Sequence, residues 1–185
     1  MNAQKAIRLT APLDERTARS LRVGDSVLIQ GTLYTARDMA HRRICQALKD
    51  GTPLPFDLAG AIIYFVGPTP ARPGRVIGAA GPTTSSRMDP FSPMLIAAGL
   101  KAMVGKGYRD QEVRDALVKC GAVHLSAIGG AGALLSRAIV GAEVIAYEDL
   151  GTEAVRRLTV VDFPALVAYD SHGQSIYAHT EGSAE

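Results

Sequence analysis

The run Ala61-Ile62-Ile63-Tyr64-Phe65-Val66 is the feature that most narrows what this chain can fold into. Its six apolar residues have no polar interruption, and Gly60 and Gly67-Pro68 bound it. Such a run, rich in β-branched and aromatic side chains, reads as a buried strand. A buried strand needs neighbours and cover, and two amphipathic helices can supply the cover. In the first, about residues 37–49, Ala40, Ile44, Ala47 and Leu48 share one stripe, with Asp38, Arg42, Gln46 and Lys49 opposite. In the second, Asp110 to Lys119, Val113, Ala116 and Leu117 face inward. With a hydrophobic fraction of 47% over 185 residues, this pattern predicts a single α/β domain with a mixed sheet, residues 1–185.

The remaining elements follow from local signals. The first dozen residues carry none. Asp14 caps a short helix through Arg19, and Ser26–Ile29 and Thr32–Thr35 are expected to form a hairpin around Gln30-Gly31. Val76–Ala80, Leu100–Val104 and Ala122–Ile128 read as strands, and Ser92-Pro93 as the N-cap and N1 of a helix ending at Gly99. Residues 133–139 read as helix. From Glu143 the chain is strand-rich, with Glu143–Tyr147, Ala154–Val161 and Ala165–Tyr169. A turn at Asp170-Ser171-His172-Gly173 leads to a closing strand, Ser175–Ala178, and residues 180–185 are expected to fray.

Charge and composition exclude several functions. The 20 basic and 18 acidic residues give a net charge of +2, and the basic residues form no stripe of the kind that binds nucleic acid. No apolar run is long enough to cross a membrane, and the N-terminus has no signal-peptide core, so a cytoplasmic location is expected. Cys45 and Cys120 lack metal-motif spacing; they predict neither a disulfide framework nor a metal site.

Three stretches carry chemistry. The first is Gly81-Pro82-Thr83-Thr84-Ser85-Ser86-Arg87-Met88-Asp89-Pro90, in which four consecutive hydroxyls precede an arginine. Ser86 and Asp89 have the spacing of a capping box with Asp in place of Glu, so the turn is expected to start a helix. Two readings are open: a polar turn capping an ordinary helix, or an anion cradle of backbone N–H groups, hydroxyls and a guanidinium. The second stretch is the first amphipathic helix, where Arg37 and His41, four residues apart, project onto the edge of the apolar stripe. A cation aimed inward needs an anion, either a structural carboxylate or a ligand. The third is Lys106 between Gly105 and Gly107, either a simple turn or a close approach to a ligand. Gly129-Gly130-Ala131-Gly132 fits neither GxGxxG nor a Walker A motif, which argues against nucleotide binding.

Thr35-Ala36-Arg37-Asp38-Met39-Ala40-His41-Arg42-Arg43, the hydroxyl-rich turn, Val104-Gly105-Lys106-Gly107, and Gly151-Thr152-Glu153-Ala154 with Asp162-Phe163-Pro164 occur in this order along the chain. In this arrangement the chain resembles the β subunit, or fused C-terminal domain, of the class I iron-sulfur hydro-lyases, comprising class I fumarase and L(+)-tartrate dehydratase. The resemblance implies a swivelling β/β/α domain. It also implies a 4Fe-4S cluster ligated by a partner α subunit and not by this chain, and an α2β2 heterotetramer. The implied reaction is reversible hydration or dehydration of a small dicarboxylate, with fumarate to malate favoured over tartrate by Met88-Asp89 and the short C-terminus.

By motif position the resemblance makes Arg37, Arg87 and Lys106 carboxylate clamps, with Thr84 beside them as a substrate-binding residue. It places Thr83 at the reacting carbon and His41 as an acid/base or as the residue that orients Arg37. The anion half-site is expected on an open concave face with an apolar rim. Ser86 departs from the residues many members carry there. The alternative from another class is a non-catalytic dicarboxylate-binding subunit, which would need the cations but have no use for Thr83.

Overall fold

In a computed structural model that describes residues 6–127 and 132–178, the apolar run becomes β3 (Ile62–Tyr64), buried at every position. It lies in a seven-stranded sheet with β1 (Ile7–Thr10), β2 (Ser26–Thr35), β4 (Ala102–Gly105), β5 (Val123–Ser126), β6 (Ile139–Ala146) and β7 (Val155–Tyr169). The order is β1-β2-β3-β4-β5-β7-β6. Strands β1 to β5 are mutually parallel, and β7 runs antiparallel to β5, β6 and β2. Because β7 pairs with both β5 and β2, the sheet closes into a barrel-like arrangement, and the chain is a mixed α/β domain.

Closure creates an inside and an outside, and strand alternation sorts side chains between them. Ile62, Tyr64, Ala102, Val104, Val123 and Leu125 point into one core with Leu33, Leu158 and Val160. Ile63 and Met103 point outward into a second core beneath the helices, which also holds Ile44, Leu95, Val113 and Leu117. The covering helices are α2 (Asp38–Asp50), α3 (Ser92–Ala97) and α4 (Gln111–Cys120). Local signals set their ends. Asp110 accepts from Val113 N (2.9 Å) to start α4, and Gly51 and Gly121 end α2 and α4 in the left-handed conformation. At α1 (Glu15–Ser20), Asp14 accepts from Thr17 N (2.6 Å), as expected.

Several expectations are corrected. The first residues are not featureless, since Ile7–Thr10 pair with β2. The hairpin at Gln30-Gly31 does not form; β2 runs through as one strand because β7 pairs with both its halves. Gly31 instead accommodates a register shift at φ 97°, where a Cβ would lie 2.8 Å from Ala11 O. Val76–Ala80 is loop: Thr69 N donates to Ala79 O and Ala79 N to Thr69 Oγ1, a local pairing in place of a strand ladder. Phe91, not Ser92, is the N-cap of α3, and Ser92 Oγ donates to Met88 O (2.8 Å).

Residues 133–139 contain only the end of a one-turn helix, α5 (Gly132–Leu135), and a 3₁₀ turn, and Ile139 already belongs to β6. The two expected strands at 154–169 are one, with Asp162 at φ 51° inside it. After the turn, Ser175 makes a single bridge to Tyr169 rather than a strand. Ile128, Gly129, Gly130, Ala131 and the C-terminal residues expected to fray lie outside the described residues. No helix among the described residues is long and apolar enough to cross a membrane.

Candidate active site

Register brings the three sequence stretches together. Thr35, Tyr64, Val104 and Leu125 form one row across β2, β3, β4 and β5. Arg37 and Lys106 each lie two residues beyond that row, at the carboxyl ends of parallel strands, where open α/β sheets place their ligands. The hydroxyl-rich turn lies against the same ends. Thr83 N donates to Phe65 O (2.7 Å), Ser85 N to Lys106 O (2.8 Å) and Lys106 N to Thr83 O (3.3 Å). Thr84 and Lys106 thus extend β4 by a parallel bridge.

Arg37, the N-cap of α2, is half-buried and lies across Gly67, where a Cβ would come within 2.8 Å of its Nη1. Arg87 reaches α2 from the other side. Its Nε donates to Asp38 Oδ1 (2.9 Å) and its Nη2 lies 2.9 Å from Oδ2. Arg37 Nε is 3.9 Å from the same carboxylate, and its Nη2 is 3.5 Å from Glu153. Glu153 also accepts from Met39 N (3.0 Å), so the α2 N-terminus is already capped by a carboxylate of this chain. Lys106 is exposed and makes no side-chain ion pair among the described residues. The three cations exceed the two neighbouring carboxylates by one charge, and among the described residues the buried Arg37 Nε has no hydrogen-bond acceptor, Asp38 Oδ2 lying 3.9 Å away. A buried donor of this kind favours an added anion.

His41 is completely buried one turn behind Arg37. Its Nδ1 donates to Arg37 O (2.9 Å), its ring meets Phe65 edge-on, and among the described residues Nε2 has no partner. Burial pushes its pKa down to about 4, only partly opposed by the Arg37 carbonyl, so the ring is neutral near pH 7.

The turn differs from its expected form. Residues 85–88 make a 3₁₀ turn with no side-chain cap, and Asp89 does not close a capping box on Ser86. Its carboxylate instead accepts from Arg109 Nε (2.6 Å) and Asp110 N (2.8 Å). Thr83 is half-buried and Thr84, Ser86 and Arg87 are exposed, whereas Ser85 turns inward to His124 (3.1 Å). Met88 is buried in the outer core, so neither Met88 nor Asp89 lies on the face that carries Arg87. Sequence reasoning missed Arg109, His124 and the part played by Asp89. Arg109 and His124 belong to no motif, and the Ser86-x-x-Asp89 spacing imitates a cap.

The principal grooves, of about 480, 270 and 200 Å3, are lined by other residues, so the expected concavity around the cations is not among them. The 480 Å3 groove adjoins the site, its wall including Pro68 and Thr152 next to Gly67 and Glu153. Among the described residues no group of three or more His, Cys, Asp or Glu side chains could hold a metal ion. The Cys45 thiol lies 3.8 Å from the Phe91 carbonyl, its pKa raised by burial, and Cys120 ends α4. These side chains do not fit an iron-sulfur cluster.

Comparison with known proteins identifies the architecture. The family model described as "Fumarase C-terminus" matches residues 1–180. The chain belongs to the fumarase C-terminal family. A putative L(+)-tartrate dehydratase subunit beta from Methanocaldococcus jannaschii is 40% identical over 171 residues, covering 89% of this chain and 88% of that protein. A putative class I fumarate hydratase from Geobacillus stearothermophilus is 38% identical over 186 residues, covering 98% of this chain but 35% of the relative. Fumarate hydratase 2 of Leishmania major is 38% identical over 160 residues, covering 85% and 28%. This fumarase C-terminal chain therefore spans about a third of the fumarate hydratases it matches, and most of the β subunit.

Proposed function

We propose that this chain is the β half of an iron-sulfur-dependent hydro-lyase that interconverts fumarate and malate, working in the cytoplasm as a swivelling β/β/α domain against an α subunit. The observation that carries the reading is the convergence of Arg37, Arg87, Lys106 and Thr83 on the carboxyl ends of β2, β3 and β4, with a net positive charge and an orphaned Arg37 Nε. A dicarboxylate dianion is the matching ligand. The cations orient it and stabilise the charge that grows as a carbon-bound proton leaves. Thr83 is the proton-handling hydroxyl, and Thr84 contributes a substrate contact.

His41 takes the orienting one of its two roles. Its Nδ1–H holds the Arg37 carbonyl, and a ring with a pKa of about 4 is a weak base. The 4Fe-4S cluster belongs in this reading to the α subunit of an α2β2 assembly, and no step assigned to this chain passes through it. One observation favours a second substrate: a relative of matching length carries the name putative L(+)-tartrate dehydratase subunit beta.

The test is anaerobic co-expression with the candidate α subunit and assay of fumarate and tartrate turnover. Thr83→Ala should lower kcat at least about 100-fold, the contribution of a placed proton-transfer group, while malate binding persists. Retained turnover in Thr83→Ala, or equal loss of turnover and binding, would refute the catalytic role and promote the non-catalytic dicarboxylate-binding subunit.

A further inference from the structure

The Thr83–Asp89 turn carries the proposed chemistry, yet it forms only a short 3₁₀ turn without a side-chain cap. Beyond its backbone bonds to Phe65 and Lys106, the turn is braced from behind by one buried guanidinium from a different part of the chain. Arg109, between β4 and α4, is 3% exposed. At the end of the turn its Nε donates to Asp89 Oδ1 (2.6 Å) and its Nη2 to Ser92 Oγ (2.6 Å). At the start of the turn its cation lies 5.5 Å over the ring of Phe65, the residue whose carbonyl accepts from Thr83 N.

A third branch reaches the middle. Arg109 Nη1 donates to His124 Nδ1 (3.2 Å). An arginine can only donate, so Nδ1 is the acceptor and His124 carries its proton on Nε2. That Nε2–H then donates to Ser85 Oγ (3.1 Å), and Ser85 N donates to Lys106 O. Burial and the neighbouring Arg109 charge both hold the His124 ring neutral.

We infer that Arg109, acting through His124 and Ser85, is the positioning residue of the Thr83–Lys106 pair. The inference rests on the hydro-lyase reading for its catalytic consequence but not for its geometry. A fork of donors in fixed directions is required, because a lysine ammonium could not serve Asp89, Ser92 and His124 at once. Arg37 lies outside the turn, beside Glu153 and Asp38, and Arg87, although within the turn, is tied separately to Asp38. Loosening it should therefore displace Thr83 and Lys106 more than the two arginines, and should appear in kcat more than in KM.

Arg109→Met would leave Asp89 buried without its cation and is liable to unfold the chain. The test therefore uses Ser85→Ala, which removes the last link and leaves every charge paired, with His124→Gln and His124→Leu. The side-chain amide of glutamine can replace the Nε2–H donor to Ser85; leucine cannot.

Nitrogen-15 NMR of the wild-type chain should show His124 as the Nε2–H tautomer. Hydrogen exchange at the Ser85 and Lys106 amides should accelerate about threefold to tenfold in Ser85→Ala and His124→Leu, as for loss of one hydrogen bond, and stay near wild type in His124→Gln. In the reconstituted enzyme, Ser85→Ala should lower kcat several-fold with KM within about twofold. The Nδ1–H tautomer, unchanged exchange in Ser85→Ala, exchange accelerated throughout the chain, or a loss confined to KM would each overturn the inference. An inactive reconstituted enzyme with the predicted tautomer and local exchange would instead overturn the hydro-lyase reading and leave the positioning network standing.

Discussion

Gly105→Ala tests how tightly the site is built. Gly105 ends β4 one residue before Lys106 and is fully buried, and its φ is not in the left-handed region. The substitution is therefore a steric experiment. The new methyl group would overlap Ser85 Oγ and lie 2.8 Å from Phe65 Cδ2 and 3.4 Å from His124 Cε1. None of these neighbours can retreat easily. Ser85 is hydrogen-bonded to His124, and the Phe65 ring packs between Arg109, His41 and His124. Overpacking a core by one methyl costs roughly 1–3 kcal/mol, and the restrained neighbours place this case in the upper half, about 2–3 kcal/mol. For a chain of this size that lowers Tm by about 4–12 °C, as read by calorimetry or circular dichroism. Adding Ser85→Ala removes the worst overlap, so the double variant should be more stable than the sum of the singles by about 1 kcal/mol. A Gly105→Ala chain that melts with the wild type, or strict additivity in the double variant, would refute the argument.

Stability should also depend on pH through His41. Its folded pKa of about 4 lies below the ordinary value of 6.5, so the unfolded chain takes up a proton first as pH falls. Its contribution is intact above about pH 6.5, declines through the window down to about pH 4, and is then lost, a difference of about 3 kcal/mol. Urea unfolding between pH 7.5 and pH 4 measures this, and His41→Leu should flatten the slope. If the proposed hydro-lyase reading holds, Asp38→Asn should weaken turnover in the reconstituted enzyme about tenfold by releasing Arg87 and Arg37 from their shared carboxylate. It should change stability by less than about 1 kcal/mol, because the Arg87 side chain is half exposed. A Tm fall without a kinetic effect would count against that role.

The candidate site was proposed from the sequence because its residues sit in short, unusual stretches, and the structure brings those stretches to one end of the sheet. Arg37, Thr83, Thr84, Arg87 and Lys106 follow strand ends or fall in a hydroxyl-rich turn, and strand ends of parallel sheets converge. The reading of Asp89 failed for a definite reason. A Ser-x-x-Asp spacing satisfies a capping box only if nothing competes, and the buried Arg109 guanidinium twenty residues on binds the carboxylate more strongly than a backbone N–H can. The strand at Val76–Ala80 failed similarly, since its backbone partner is the neighbouring Thr69 loop.

The sequence by itself determined what depends on near neighbours: the buried strand at Ile62–Tyr64 and the amphipathic helices that form over Asp38–Asp50 and Gln111–Cys120. Periodicity and capping act over three or four residues and can be read along the chain. Only the tertiary structure decided that β2 and β7 are each continuous, that their pairing closes the sheet, and that Arg109 ties the hydroxyl-rich turn to His124. These outcomes rest on register and on buried polar pairing between distant residues, where the cost of an unmatched partner in the low-dielectric interior selects the arrangement and no local pattern records it.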